Sequence, residues 1–363
     1  MTATSRIRPA LPTFEFQRTA SAIPTLILNA LNEPYQPTLP DLTAYRRELV
    51  SAGAPTPLPR VPFAPRGLLA ELPPPPPGRT GWPWTVETTP PADAGNNWPR
   101  ISIVTPSFKQ GDFLEETIRS VLLQNYPNLK YVVLDGDSPD NSPAIIEQYR
   151  PWLSFARVAS DRGQSHAINL GFSLAGGDVR AWLNSDDFYL PGTLCQVAKA
   201  WNRGAQFIYG DGLNLDHETA ELDYQPSNFA HGRYVKFPGL VLQASTFWSA
   251  DKHQPLWEEQ QCALDYELWI RLLPGLRTHY LPRLLSVARR HDAAKTYNPA
   301  MKQRWTDDAH RNARAHPHLY LARPWLDREF ALVQRLAALW RHRQMGTRLA
   351  ALSRDCGWAR PSK

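Results

Sequence analysis

Between Ile101 and Leu183 the sequence switches repeatedly from a short β-branched or apolar run to a stretch with helical spacing, and that alternation narrows the fold more than any other feature. Ile101-Ser-Ile-Val-Thr105 is β-branched and ends at Pro106, which predicts a strand and the start of a compact domain after Trp98-Pro99-Arg100. Asp112 to Asn125 follows, with Phe113, Ile118, Val121 and Leu122 spaced for helix. Glu115 and Glu116 stand in its first turn, where carboxylates complement the helix dipole. Tyr131-Val-Val-Leu134 reads as a second buried strand, closed by the turn-forming Asp135-Gly-Asp-Ser-Pro-Asp140. A helix over Ser142 to Tyr149, a weaker strand near Ala156 to Ala159, a helix over Ser165 to Ala175 and a strand over Val179 to Leu183 complete the pattern. Such alternation predicts an α/β domain with a largely parallel sheet and helices on both faces. Ligands of such sheets gather outside the carboxyl ends of the strands, just where Thr105, Asp135 and Asp186 fall.

The flanks differ in character. The first hundred residues hold 20 of the 35 prolines, including the run Pro73 to Pro77, which excludes helix and central strand and reads as a linker-like extension. Within it, Leu39 to Val50 is more helix-like, with Asp41 as N-cap and Leu42, Tyr45 and Leu49 on one face; it either docks on the domain or forms only transiently. At the other end, residues 322–363 carry nine Lys or Arg against three acids, which accounts for the whole net charge of +6. The charge therefore marks a basic tail on a neutral body. With no zinc-finger spacing and no aromatic ribonucleoprotein motif, nucleic acid is not an expected partner.

Cys195, Cys262 and Cys356 are far apart and lack metal-ligand spacing, so neither a disulfide framework nor a zinc site is expected. Pro9 and Pro12 interrupt the opening residues, which do not read as a secretory leader, and no apolar run approaches the length of a spanning helix. The expectation is a cytoplasmic protein, soluble or peripheral on the inner face of the membrane. The tail offers a surface for the latter: from Asp327 to Ala350, Leu332, Leu336, Leu339 and Trp340 recur at helical spacing beside Arg328, Arg335, Arg341 and Arg343. That pattern suits an anionic membrane surface or an apolar stripe packed on the domain in equal measure.

Chemistry concentrates in Ala181-Trp-Leu-Asn-Ser-Asp-Asp-Phe-Tyr189, where an apolar run stops on two adjacent carboxylates, Asp186 and Asp187. No glycine-rich phosphate loop is present, so a phosphate bound here would be neutralised by a divalent cation held by carboxylates. Taken alone, an Asp-Asp pair after a strand is more often a solvated turn.

Four blocks in order change that reading: Val104-Thr-Pro-Ser-Phe-Lys-Gln-Gly111, Glu116-Thr-Ile-Arg-Ser-Val-Leu-Leu-Gln124, Asp161-Arg-Gly-Gln-Ser-His-Ala-Ile-Asn-Leu-Gly171 and Trp182-Leu-Asn-Ser-Asp-Asp187. Together they resemble a family 2 glycosyltransferase of the GT-A fold, a Rossmann-like architecture, and Gln243-Ala-Ser-Thr-Phe-Trp248, Asp265-Tyr-Glu-Leu-Trp-Ile-Arg271 and Arg290-His291 continue the pattern to about Thr296. The resemblance implies a domain over 98–296, between a Pro-rich extension (1–97) and a helical, basic C-terminal region (297–363). It implies transfer of a sugar, with inversion, from a nucleotide-diphosphate donor to a hydroxyl of a glycan or lipid-linked acceptor, assisted by Mg2+ or Mn2+.

Residue by residue, the resemblance implies that Thr105 and Asp135 form the nucleoside pocket with help from Asp137, although turn capping by Asp137 and Asp140 explains those two equally well. It implies that Asp161, Arg162, Asn169 and Ser185 line the donor cleft. The metal ligands would be Asp186, Asp187 and His291, with Asn184 standing where the family's motif has its first Asp. Asp265 matches the base of inverting members; Leu264 replaces a Glu common before it, and Glu267 is the fallback. A non-catalytic binding module that keeps the fold is the rival reading, supported only by Asn184 and Leu264.

Overall fold

The computed structural model describes residues 7–8, 34–89, 97–228, 231–235, 241–319 and 324–356. Its centre is one mixed sheet. Strands β1 (Ile101–Ser107) and β2 (Leu129–Asp135) are buried along their whole length, as strands covered on both faces must be. Between them runs helix α2 (Leu114–Leu122), which buries Leu114, Ile118, Val121 and Leu122 and carries Glu115 and Glu116 in its first turn. Helix α3 (Ser142–Tyr149) has Pro143 in its first turn, where a missing N–H costs nothing. Then come β3 (Phe155–Val158), helix α4 (Gln164–Leu174) and β4 (Val179–Trp182). These four strands are parallel, in the order β3, β2, β1, β4. The α/β architecture expected from the alternation is present.

Helix α4 crosses β1 at close range, because a Cβ at Gly171 would lie 2.5 Å from Val104 Cγ1. Only a bare Cα fits there.

Beyond β4 the sheet turns from parallel to mixed. The pair β5 (Phe188–Tyr189), helix α5 (Thr193–Asn202), β6 (Phe207–Asp216), β7 (Leu222–Gln225) and β8 (Thr246–Ser249) precede helix α6 (Leu264–Leu272) and the long β9 (Thr278–Arg290). Strand β8 lies antiparallel between β4 and β6, and β7 pairs antiparallel with β6. Strand β9 runs parallel to β6 and antiparallel to β5. Strand β6 runs on to Asp216 because β7, β8 and β9 all offer it ladder partners.

The proline-rich stretch is not a free linker over its described part. Leu49, Leu58, Val61, Leu68, Leu72 and Trp82 belong to the same buried cluster as the sheet. Helix α1 (Leu42–Ser51) starts as expected, with the Asp41 carboxylate accepting from Thr43 N at 2.8 Å. Prolines leave carbonyls without a ladder, and the fully buried Arg119 of α2 collects them, donating to Pro73 O, Pro83 O and Trp84 O at 2.8–3.1 Å.

Among the described residues two α-helices follow β9: α7 (Lys302–Ala315) and α8 (Pro324–Asp355). Among the described residues no helix is long and apolar enough to cross a membrane.

Candidate functional site

The Asn184–Asp187 turn is built where β4 leaves the sheet. Leu183 N donates to Val104 O at 2.9 Å, and Asp187 N then closes the turn on Asn184 O at 3.1 Å. Thr117 of α2 fixes it from below, its hydroxyl meeting Ser185 O at 2.9 Å and Asp187 O at 2.7 Å. This makes Ser185 a backbone contact of α2, with its side chain buried.

Strand β9 brings the second half. Its antiparallel pairing with β5 runs Val287 past Phe188, so that Arg289 N reaches Asp187 Oδ1 at 3.0 Å and Arg289 Nε reaches Asp186 O at 3.1 Å. The same guanidinium forms a buried pair with Glu116 at 2.9 Å. One step past the strand, His291 Nε2 lies 3.0 Å from Asp186 Oδ2. Phe113 packs on the His291 ring with centroids 4.7 Å apart, and the Arg289 guanidinium sits 4.7 Å above the Phe113 ring. Phe113, Glu116 and Arg289 also line a cavity of about 360 Å3 with Arg79, Asp216 and His217.

The two carboxylates differ in role. Asp187 is buried and both oxygens are engaged, one by Arg289 N and the other by Asn184 Nδ2 at 3.3 Å. Burial, and then the neighbouring Asp186 charge, push its carboxyl well above the usual range. Asp186 is partly exposed, at 17%, and meets His291 through Oδ2. The Asn184 side-chain oxygen Oδ1 is occupied as well, accepting from Gln164 Nε2 at 2.8 Å. Asp186 and His291 are thus the two groups placed to share a cation; among the described residues no cluster of three or more His, Cys, Asp or Glu forms a cage for one. Two protein ligands suit a cation whose shell is completed by water and substrate phosphate.

Lys295 joins this turn to the next segment. Its ammonium donates to Gln164 Oε1 and to Gln261 O, both at 2.8 Å. Burial pulls its pKa down. Gln261 begins the approach to α6, and the backbone amides of Gln261, Cys262 and Ala263 all donate to Asp308 Oδ2 of α7 at 2.7–3.1 Å. Asp265 follows in the first turn of α6, half-buried. Burial raises its carboxyl, against the amides of Tyr266 and of Asp265 itself. Glu267, one helical face away, is fully buried in a bidentate pair with Arg271, both contacts at 2.6 Å. That commitment removes it as a free carboxylate.

The remaining expected residues divide. Asp135 stands at the end of β2 beside Ser107, its carboxylate held by Ser138 N at 2.7 Å and Ser138 Oγ at 2.8 Å. Asp161 approaches the same loop, since a Cβ at Gly136 would lie 3.2 Å from Asp161 Oδ2 and 3.3 Å from the exposed Phe108. Asp137 is exposed with φ 68°. Thr105 is placed apart from them, fully buried and bonded to Tyr131 OH at 3.1 Å. Arg162 is engaged by Glu258 at 2.8 Å and by Tyr45 OH of α1. Asn169 is buried, closing on Leu256 N and O at 2.9 Å each. Gln164, Lys295, Glu258 and Asp308 went unnoticed in the sequence, because each acts through a partner distant in the chain.

Residues 102–249 match the model of Glycosyl transferase family 2. A glycosyltransferase of Mycobacterium tuberculosis without assigned activity is 29% identical over 160 residues, which cover 42% of this chain and 60% of that protein. The GalNAc(5)-diNAcBac-PP-undecaprenol beta-1,3-glucosyltransferase of Campylobacter jejuni is 22% identical over 169 residues, 41% of this chain and 55% of its own. The chain thus aligns with little more than half the length of these relatives. The mannosyltransferase PcManGT from Pyrobaculum calidifontis, solved with GDP-Man and Mn2+, superposes over 93% of this chain and 92% of its own, with 17% identity and a TM-score of 0.41. Over residues 102–249 the chain is therefore similar to the glycosyl transferases of family 2.

Proposed function

We propose that this protein transfers a hexosyl or N-acetylhexosaminyl group from a nucleotide-diphosphate sugar to a hydroxyl of a glycan or lipid-linked acceptor, with inversion, in the cytoplasm. The catalytic unit would span 98–296, with 1–97 and 297–363 supporting it. The observation that carries the reading is the joining of three distant segments at one turn: Asp186 meets His291, and Lys295 ties that turn to the loop leading into Asp265. The undecaprenol-linked substrate in the name of the Campylobacter relative supports a lipid-linked acceptor.

In this reading the acceptor hydroxyl gives its proton to Asp265 while its oxygen bonds to the anomeric carbon; the bond from that carbon to the diphosphate oxygen breaks, and its electron pair leaves on the nucleoside diphosphate. A carboxylate half out of water is a stronger base than a solvated one, which suits that task. Asp186 and His291 would hold Mg2+ or Mn2+, which supplies charge neutralisation at the departing diphosphate. Asp187, Asn184 and Thr117 keep that pair in place. Phe108, Asp135 and Asp161 would receive the nucleoside, Phe108 offering an exposed ring for a base to stack on.

The test is a panel of nucleotide sugars offered with Mn2+ and a mixture of acceptors, with release of nucleoside diphosphate and the anomeric configuration of the product as readouts. Inverted product and its loss in Asp265→Asn support the proposal. Donor binding with no release from any sugar would leave the non-catalytic binding module, and retained configuration would remove Asp265 as the sole base.

A further inference from the structure

The apolar stripe of the C-terminal helix allowed two readings in the sequence, and α8 separates them. The helix is fixed to the rest of the chain by one side: Leu326, Leu352 and Cys356 are buried, Arg341 donates to Ser227 O, and Cys356 O accepts from Trp82 N at 2.9 Å. Glu329 adds an ion pair with Arg233 at 3.1 Å. The other side is left in solvent. Trp325, Leu332, Leu336 and Leu339, at helical spacing, are each 58–59% exposed, and Arg328 and Arg335 are exposed among them. An apolar stripe meant for the domain core would not face outward.

We propose that this face of α8 docks the protein on an anionic phospholipid surface. The charge decides the occupant. Arg328 and Arg335 border the leucines on one edge of the stripe, Asp327 lies away from it, and Glu329 on the other edge is already paired with Arg233. Leucines entering the acyl boundary with arginines at headgroup level is the arrangement of an interfacial helix. A second copy of this chain fits less well, since it would bring two sets of the same arginines into one apolar contact. The proposal does not rest on the transferase reading, because it concerns a different face and is measured without a donor.

The full chain is floated with vesicles of phosphatidylcholine alone and of phosphatidylcholine with phosphatidylglycerol in equal parts. The expected result is flotation with the anionic vesicles only. The triple variant Leu332→Glu, Leu336→Glu, Leu339→Glu should cut the bound fraction at least about tenfold. Arg328→Glu with Arg335→Glu should do the same. Serine at the three leucine positions is the milder control, and an unchanged melting temperature in each variant shows that folding is intact. No flotation with either vesicle, equal flotation with neutral vesicles, undiminished flotation of the folded leucine variants, or a dimer-to-monomer shift caused by them overturns the proposal.

Discussion

His291 Nε2 and Asp186 Oδ2 lie 3.0 Å apart although 105 residues separate them in the chain. The long β9 makes this meeting, because its antiparallel register with β5 places the end of one strand beside the turn that precedes the other. If the two residues share a cation, His291→Ala should weaken the Mn2+-dependent part of nucleoside diphosphate binding by about ten- to a hundredfold, the scale seen even for outer partners of metal ligands. Calorimetry with and without Mn2+ checks it. Equal affinity of wild type and variant in Mn2+ would remove His291 from the cation site.

Asp265→Asn should lower kcat by about 10²- to 10⁴-fold, the range of general base catalysis, with nucleotide affinity unchanged. The pH profile carries a second expectation. A base works only when ionised, and burial raises this carboxyl above a solvated Asp at about 3.9. The acid limb of kcat/KM should therefore fall away at a higher pH than an ordinary aspartate would give. A limb below about pH 4 would mean that another group sets it.

The parts of the fold that were legible in the sequence were those set by local signals. Glu115 and Glu116 at a helix start and Asp41 as a cap speak through residues a few positions away. The antiparallel half of the sheet was less legible, since β6 owes its length to partners as far along the chain as Leu222, Trp248 and Arg290. The site was legible in its acids and its histidine but not in what holds them. Arg119 looks like a surface charge until the carbonyls of a proline-rich stretch surround it. Lys295 has no motif of its own, and only the folded chain puts it between Gln164 and Gln261. Thr105, at a strand end by sequence, is in the core because the strand runs on to Ser107, and its hydroxyl is satisfied there by Tyr131 of the neighbouring strand.

The buried pair of Arg289 and Glu116 sets a stability prediction. Both side chains are buried, at 6% and 7% exposure, so removing one partner leaves the other charge out of water and unpaired. Arg289→Met should destabilise the fold by about 3–5 kcal/mol, and adding Glu116→Gln should return a substantial part of it. Denaturant midpoints of the two single variants and the double variant check the coupling. Additive losses would show that the pair is not an energetic unit.

Asp308 sits outside the matched family segment yet organises the approach to Asp265. One of its oxygens accepts from three successive amides, Gln261, Cys262 and Ala263, and it is fully buried. Those amides belong to the loop entering α6, so the carboxylate, supplied from α7, holds that loop by its backbone just before the helix begins. Asp308→Ala would leave them without an acceptor, at a cost of about 1–3 kcal/mol for such groups, seen as a lower melting temperature. Because the same segment carries Lys295's contact at Gln261 O, the loss should also displace Asp265 and lower kcat while nucleotide affinity holds. Asp308→Asn keeps one acceptor oxygen and should recover part of both. A purely structural role would lower the melting temperature and leave kcat untouched at a temperature where the variant is fully folded; that outcome would separate Asp308 from the positioning of Asp265.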